Sequence, residues 1–357
     1  MISCRNFAAM SPTADLSYVQ LLSASPDWQS LAQADRYSSI FILTDNNTQE
    51  HCLPLLQDAF PAAIHLHIPA GEKEKNIETC SYLWQEMLMH NADRQALLIN
   101  LGGGVIGDMG GFVAGTYKRG INFIQIPTTL LSMVDASVGG KLGIDHHGLK
   151  NVVGLFRQPQ AVLIYPEFLK TLPERELRSG YAEVLKHGLI ADAAYWNETA
   201  AGLPDADKWS DIIRRSVMIK QEVVEDDPLE NGRRKILNFG HTVGHALETW
   251  SLLHDEDPLL HGEAIARGMV IEAALSRELT GLSTEEEHHI TTAMMRFFPE
   301  KKSAANATEL LHLMMNDKKN TKGEIRFSLL GSIGHCRWDI PVPADVLLST
   351  LQRFGHA

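Results

Sequence analysis

An apolar run, Ala96-Leu-Leu-Ile-Asn-Leu101, leads straight into Gly102-Gly-Gly-Val-Ile-Gly-Asp108 and then into a helical stretch over 109–114. Strand, glycine turn and helix in that order constrain the fold more than any other feature of the chain. A strand that feeds a helix needs a crossover, and a crossover delivers the chain to a parallel neighbour. Further β-like runs occupy 39–44, 63–68, 123–127 and 162–165, with helical spacing over 76–90 between them. After about Thr171 the texture changes to long amphipathic stretches, over 174–191, 209–225, 234–252 and 261–279. One late β-like pair, 325–330 and 334–338, flanks a glycine turn. The expected fold class is therefore α/β: a Rossmann-like parallel-sheet domain over 1–170, followed by a mostly α-helical domain over 171–357. The active site is expected in the cleft between them.

The 357 residues suffice for about two domains, and 44% hydrophobic with 21% charged residues is ordinary for a globular protein. No apolar run has transmembrane length, and the N-terminus lacks the basic start and apolar core of a signal peptide. Cys4, Cys52, Cys80 and Cys336 are scattered, with no Cys-x-x-Cys pair. That favours reduced thiols and a cytoplasmic protein. A net charge of −12 argues against nucleic-acid or anionic-membrane partners. An anionic ligand would require a local concentration of Lys and Arg.

Glycines let backbone N–H groups approach a phosphate, and a helix N-terminus adds partial positive charge. Gly102, Gly104 and Gly107 fit the dinucleotide spacing, but no acid stands about 20 residues on, so a ligand-free tight turn fits as well. Asp45, after the 39–44 run, is a candidate for ribose or adenine hydroxyls. Gly71-Glu-Lys-Glu-Lys75 reads on its own as a surface loop. In Pro127-Thr-Thr-Leu-Leu-Ser-Met-Val-Asp-Ala-Ser-Val-Gly-Gly-Lys141, small polar residues among glycines suggest backbone close to a ligand. Lys150-Asn151 reads as loop, and Glu183 with Lys186 reads as an i,i+3 pair on a solvated helix face.

Arg234-Lys-Ile-Leu-Asn-Phe-Gly-His-Thr-Val-Gly-His245 places His241 and His245 four residues apart, with Asn238 and Arg234 further back on the same stripe of an expected helix. Such a stripe is costly to bury and should face a metal or a ligand, although solvated histidines fit the spacing equally. Glu183, His241 and His261 would form a Glu/His/His set with an open position, as catalytic zinc requires. His245 is a fourth candidate, and His254, beside Asp255-Glu-Asp257, competes.

Together these motifs resemble the 3-dehydroquinate synthase family, from about Thr44 to Leu330. The 102–108 turn, 127–141, 182–186, 238–245, 261–264 and Asp317-Lys-Lys319 occur in the family's order. The resemblance implies zinc, or cobalt in its place, on Glu183, His241 and His261, with His245 handling substrate and protons. It implies NAD on Asp45, Asn47, Glu72, Lys75, the Gly103-Gly104-Val105 turn, Asp108, Thr128, Thr129 and Lys150. Substrate contacts would come from Asp135, Lys141, Asn151, Lys186, Lys220, Arg234, Asn238 and Lys318. Arg119 would reach the phosphate bound by a neighbouring subunit, which implies a homodimer. The implied reaction converts 3-deoxy-D-arabino-heptulosonate 7-phosphate to 3-dehydroquinate and phosphate, with NAD regenerated. Two departures stand out: Asp145 where many members have Asn, and a longer, more acidic stretch between His245 and His261.

Lys141, Asn151, Arg119 and Lys318 would surround the phosphate, and Lys220 and Arg234 would meet the sugar-acid carboxylate, Arg234 in bidentate fashion. Three rivals remain: a sister cyclase acting on another sugar phosphate such as sedoheptulose 7-phosphate, a metal-dependent polyol dehydrogenase, and a non-catalytic nucleotide-binding module. A neutral polyol does not require the four cations Lys141, Lys186, Lys220 and Arg234.

Overall fold

The computed structural model describes residues 18–23, 26–147, 149–299, 304–315 and 325–356. Its first half runs β1 (Val19–Leu21), α1 (Trp28–Ala32), β2 (Ile40–Asp45), α2 (Asn46–His51), β3 (Ile64–Ile68), α3 (Ile77–Met89), β4 (Leu97–Gly102), α4 (Gly104–Thr116), β5 (Asn122–Pro127), β6 (Lys141–His146), β7 (Leu149–Phe156) and β8 (Ala161–Ile164). The second half runs α5 (Glu174–Ala191), α6 (Ala193–Thr199), α7 (Trp209–Asp226), α8 (His241–His254), α9 (His261–Leu279), α10 (Thr284–Phe297), α11 (Ala307–Met315), β9 (Arg326–Ser332), β10 (His335–Pro341) and α12 (Ala344–Arg353). No helix among the described residues is long and apolar enough to cross a membrane.

Six strands form a parallel sheet in the order β1-β8-β5-β4-β2-β3. Every residue of β4 is buried, as a strand covered on both faces must be. The two-residue period sorts its neighbours. Phe41, Leu43 and Leu98 join the core beneath α3 and α4, whereas Ile42, Leu97 and Ile99 face the other way. That second core is continuous with Tyr181, Leu185, Ile219, Phe239 and Ile265 of the helical half. One face of the sheet is thus cemented to the helices that carry the polar cluster. Each fully buried large apolar side chain contributes roughly 1.5–3 kcal/mol.

The chain moves outward from β2 to β3, returns across β2 to β4, and continues the other way through β5 to β8. The reversal lies between β2 and β4. At such a switch point the crevice at the strands' carboxyl ends is the ordinary ligand position of an open α/β sheet. Asp45 ends β2, Gly102 ends β4, and Thr128 follows β5.

Local structure departs from the sequence expectation in three places and adds one turn for which the sequence set no expectation. The 102–108 turn is shorter than expected, because α4 already begins at Gly104, with Gly103 as its N-cap. Lys150 and Asn151 are not loop residues. They belong to β7, which pairs antiparallel with β6 in a hairpin. Residues 132–136 form a π-helical turn that carries Asp135, a distortion frequent at functional sites. The expected helix over 234–252 is broken: Arg233–Asn238 is a 3-10 turn, Gly240 takes a left-handed φ of 81°, and α8 begins only at His241. Arg234 and Asn238 therefore do not share a helical stripe with the histidines.

Gly240 offers no side chain to cap α8, yet the helix start is buried. Glu272 of α9, itself fully buried, supplies the missing acceptors: its Oε2 receives Gly240 N–H at 2.6 Å and its Oε1 receives Val243 N–H at 3.1 Å. A carboxylate at a helix N-terminus also complements the macrodipole. Glu272 thus locks the first turn of α8, and with it His241, onto α9.

Candidate active site

Glu183 and Lys186 lie in the stretch of α5 from Ser179 to Ile190 that is buried throughout, not on a solvated face. Their ion pair sits among charges from three other segments. Lys220 of α7 reaches Asp135 Oδ1 at 2.9 Å and also donates to the Asp135 carbonyl. Lys186 Nζ stands 3.9 Å from Asp135 Oδ1, and His187 Nε2 3.6 Å from it. Buried charges persist only when paired, and the pairing governs protonation here. Burial opposes ionisation of Asp135, but Lys220 and Lys186 hold its carboxyl well below the usual range. Burial likewise opposes the Lys186 charge, and Glu183 and Asp135 more than restore it. Lys220 is pulled below the ordinary lysine range by burial, with Lys186 and Arg234 adding to the effect against Asp135.

Arg234 is 1% exposed. Its Nη1 donates to Pro228 O at 2.7 Å and its Nη2 to Gly139 O at 3.1 Å, while Nε finds no hydrogen-bond partner among the described residues. Gly139 has a φ of 104°, and a Cβ there would stand 2.6 Å from Arg234 Nη2, so glycine is required for this approach. Lys141 pairs with Glu230, which also accepts from Asn238 Nδ2 at 2.9 Å.

Glu183, His241 and His261 each offer a ligand atom within 4.8 Å of the others. Glu183 Oε1 stands 3.7 Å from Nε2 of both histidines and accepts no hydrogen bond from any described residue. Such a gap is too long for a hydrogen bond. It approaches the spacing of donors about 2.0–2.2 Å from one tetrahedral zinc, which stand roughly 3.3–3.6 Å apart. His241 Nδ1 is 3.1 Å from Phe239 O, a contact that requires Nδ1–H and leaves the Nε2 lone pair for the shared point. His261 Nδ1 faces Glu248 Oε2 at 3.5 Å. Burial disfavours the His261 cation, but Glu248 and Glu183 outweigh it and push the imidazole up to about 9. A buried carboxylate whose Oε2 is paired with Lys186 while its Oε1 faces two convergent imidazoles is a donor set that fits a divalent cation. The His245 ring lies 5.1 Å from His241 and 5.9 Å from His261, at the edge of this set. A second grouping, His245, Glu248 and His261, shares His261. His254 turns away, with Nδ1 2.8 Å from Trp250 O and its ring stacked on Trp250.

On the sheet side, Asp45 Oδ1 caps α2 by accepting Thr48 N–H at 2.8 Å, and Asn47 is exposed on that helix. Gly103, Gly104 and Val105 form the start of α4. Thr128 is buried after β5, and Thr129 Oγ1 lies 2.9 Å from Ser132 Oγ. The 71–75 segment is not a free surface loop: Lys75 is buried, and its Nζ meets Asp108 Oδ2 and Asn151 Oδ1, each at 2.7 Å. Lys150 bridges Glu248 Oε1 at 2.8 Å and Glu72 Oε1 at 3.3 Å.

Of the four expected phosphate residues, Lys141 and Asn151 both lie in the β6–β7 hairpin. Lys141 pairs with Phe156 in the hairpin register, five residues and roughly 17 Å along β7 from Asn151. Asn151 Oδ1 accepts from Lys75 Nζ. Arg119 is exposed beyond α4, and Lys318 lies outside the described residues. Sequence reasoning overlooked Glu248, Glu230, His187 and Glu272. Glu248 carried a usable signal, since residues 241, 245 and 248 lie on one face of α8. Glu230 and Glu272 act from segments whose proximity only the fold creates.

Residues 65–179 match the family described as 3-dehydroquinate synthase N-terminal, and residues 180–320 the one described as 3-dehydroquinate synthase C-terminal. The 3-dehydroquinate synthase of Parabacteroides distasonis is 42% identical over 330 residues, covering 90% of this chain and 93% of that protein. That of Nitrosomonas europaea is 45% identical over 292 residues, covering 80% and 78%. The chain is also similar to a solved 2-deoxy-scyllo-inosose synthase complexed with carbaglucose-6-phosphate, NAD+ and Co2+, with a TM-score of 0.82 at 22% identity over 91% of this chain and 93% of that one. A 2-epi-5-epi-valiolone synthase from Streptomyces hygroscopicus with NAD+ and Zn2+ bound gives 0.78 at 26%, over 97% and 98%. An iron-containing alcohol dehydrogenase gives 0.63 at 13%, over 93% and 95%, so the architecture alone does not separate cyclase from dehydrogenase. What separates them is sequence: two adjoining family regions and relatives above 40% identity across most of the molecule make this chain a member of the 3-dehydroquinate synthase family.

Proposed function

We propose that this chain converts 3-deoxy-D-arabino-heptulosonate 7-phosphate to 3-dehydroquinate and phosphate. The observation that carries the reading is one wall in which the Glu183, His241 and His261 donors adjoin the buried cations Lys186, Lys220 and Arg234. A fold shared with dehydrogenases does not call for such a bank of cations; a doubly anionic sugar-acid phosphate does. We assign zinc, or cobalt in its place, to the three donors. NAD is assigned to the crevice at β2 and β4, with Asp45, Asn47, Glu72, Lys75, Gly103, Gly104, Val105, Asp108, Thr128, Thr129 and Lys150 around it. In this reading an α/β unit over 1–170 serves the dinucleotide and a helical unit over 171–357 serves metal and substrate.

When bound, the metal polarises substrate hydroxyls, and NAD takes up a hydride and returns it. The chain's own residues handle protons and anions. His245, at the edge of the donor set, accepts the hydroxyl proton as the substrate is oxidised. The resulting ketone acidifies the adjacent C–H, and the departing phosphate itself removes that proton. Lys220 and Arg234, whose Nε–H has no hydrogen-bond partner among the described residues, meet the substrate carboxylate, with Asp135, Lys186 and Asn238 holding the hydroxyls. Lys141 moves from Glu230 to the phosphate. After ring opening, these contacts keep the intermediate in the conformer that closes by intramolecular aldol addition.

A second copy of the chain supplies Arg119 in this proposal. Support comes from β7, which has one strand partner among the described residues and exposes Leu149, Val152, Val153 and Phe156. An apolar edge strand of that kind invites a partner. Cys52, Cys80 and Cys336 are buried free thiols, which supports a reducing, cytoplasmic setting.

The test is substrate choice. The zinc-loaded protein supplied with NAD should release phosphate from the sugar acid and not from sedoheptulose 7-phosphate. The opposite preference would reassign the chain to a sister cyclase, and NADH accumulation on polyols would reassign it to a dehydrogenase.

A further inference from the structure

Five side chains, joined by four polar links, form a file that connects the two halves of the molecule. Glu72, in the turn after β3, stands 3.3 Å from Lys150 Nζ of β7. Lys150 Nζ stands 2.8 Å from Glu248 Oε1 of α8. Glu248 Oε2 stands 3.5 Å from His261 Nδ1 at the start of α9, and His261 Nε2 faces Glu183 Oε1 at 3.7 Å. Every link is polar, and the central one is buried: the Glu248 side chain is 6% exposed. An ionised carboxylate at that depth is tolerated only with partners on both oxygens.

The division of those oxygens gives Glu248 two tasks. Through Oε2 it favours the His261 tautomer with hydrogen on Nδ1, which leaves the Nε2 lone pair directed at the shared donor point. Through Oε1 it is tied to Lys150, which is shared with Glu72. The carboxylate is a rigid plane, so a shift of Lys150 that turns Oε1 must turn Oε2 and the imidazole with it. The arrangement resembles a lever whose far end, Glu72 and Lys150, lies in the crevice assigned to the dinucleotide.

We infer that Glu248 is a positioning residue that couples dinucleotide binding to metal binding. This rests on the ligand assignments made under the proposed function. Engagement of Glu72 and Lys150 by the dinucleotide fixes Lys150, Lys150 fixes the Glu248 carboxylate, and Glu248 fixes His261. Each ligand then binds more tightly in the presence of the other, by one common factor, because linkage is reciprocal.

The experiment measures zinc affinity by competition with a chromophoric chelator, with and without saturating NAD, and NAD affinity with and without zinc. The wild-type protein should show a coupling factor of about fivefold or more, equal in both directions. Glu248→Gln keeps the size of the side chain, and should weaken zinc by about 10–100-fold and bring the coupling factor close to one. Lys150→Met removes the partner of Glu248 Oε1 but keeps the carboxylate that faces His261 Nδ1. It should lower zinc affinity less than Glu248→Gln does, and still abolish the coupling. That split is one a merely structural role would not produce. Absence of coupling in the wild type, or coupling that survives in Glu248→Gln, overturns the inference. A Glu183→Gln protein that keeps its zinc while Glu248→Gln loses it would instead move the metal to His245, Glu248 and His261, and so overturn the underlying ligand assignment. Cobalt-substituted protein distinguishes the cases, since the visible absorption of a four-coordinate ion persists in Glu248→Gln only if Glu248 is not itself a ligand.

Discussion

Gly268→Ala adds one methyl group to α9, seven residues beyond His261, and should cost the protein its metal. A Cβ at Gly268 would stand 2.7 Å from Gly244 N of α8 and closer still to Gly240 O, whereas ordinary contact begins near 3.4 Å. Both obstacles are backbone, so no side chain can swing aside. The helices must separate by at least about 0.7 Å where α8 begins, next to His241. Metal sites tolerate about 0.2 Å in ligand distance, so the displacement exceeds the tolerance roughly threefold. Overpacking of this kind also destabilises by about 1–3 kcal/mol. The assay pairs zinc titration with thermal unfolding, and takes Gly202→Ala as control, because a Cβ there would meet nothing within 4 Å. The expected result is a folded protein with lowered Tm and zinc affinity reduced by at least tenfold, against an unchanged control. Wild-type zinc affinity in Gly268→Ala would refute the claim that the α8–α9 contact sets the donor spacing.

Other expectations follow from the same geometry. His261→Ala should lose zinc and activity together, and stoichiometric zinc in that variant would redirect attention to other donors. Arg234→Ala should reduce kcat/KM for the sugar acid by about 2–5 kcal/mol, the scale for removing one member of a buried charge pair; an unchanged value would remove Arg234 from the carboxylate site. In the metal-free protein His261 is pushed up to about 9, above its unfolded value near 6.5. Its protonation therefore stabilises the apo fold fully below about pH 6.5, and this contribution is lost as pH rises through 9. Zinc must displace that proton, so zinc affinity should climb between pH 7 and 9 and then level off; a flat profile in titrations across that range would contradict the His261 assignment. Arg175 holds the acidic 255–260 segment through Asp257 at 2.7 Å and Pro258 O at 2.8 Å, and the first turn of α9 through Glu263 at 2.8 Å. Arg175→Ala should loosen His261 and raise the zinc dissociation constant while leaving NAD affinity in the absence of zinc unchanged, as separate titrations of the two ligands would show.

Much of this architecture is legible in the chain itself. The strands β2 and β4 are nearly continuous apolar runs closed by Asp45 and Gly102, and α5 and α9 start and stop where their periodicity does, because burial of a whole face imposes a period. Elements set by distant partners were not legible. The break at Gly240 depends on Glu272, some thirty residues away, which caps a helix that has no cap of its own. The β6–β7 hairpin is mostly exposed along β7, so it lacks the alternation that marks a half-buried strand. The Glu/His/His set was readable as chemistry, but the burial of Glu183 and Lys186 was not, since an i,i+3 pair looks the same in sequence whether solvated or enclosed. The second-layer carboxylate Glu248 gains its meaning only from Lys150 and Glu72 across the fold.

The most direct test of the central claim is phosphate release from 3-deoxy-D-arabino-heptulosonate 7-phosphate by the zinc-loaded protein with substoichiometric NAD, while NADH is followed in parallel. Phosphate far in excess of the NAD supplied, without lasting NADH, is the predicted result, because the hydride is returned within each turnover. No phosphate, or NADH that accumulates in step with substrate consumed, would contradict it.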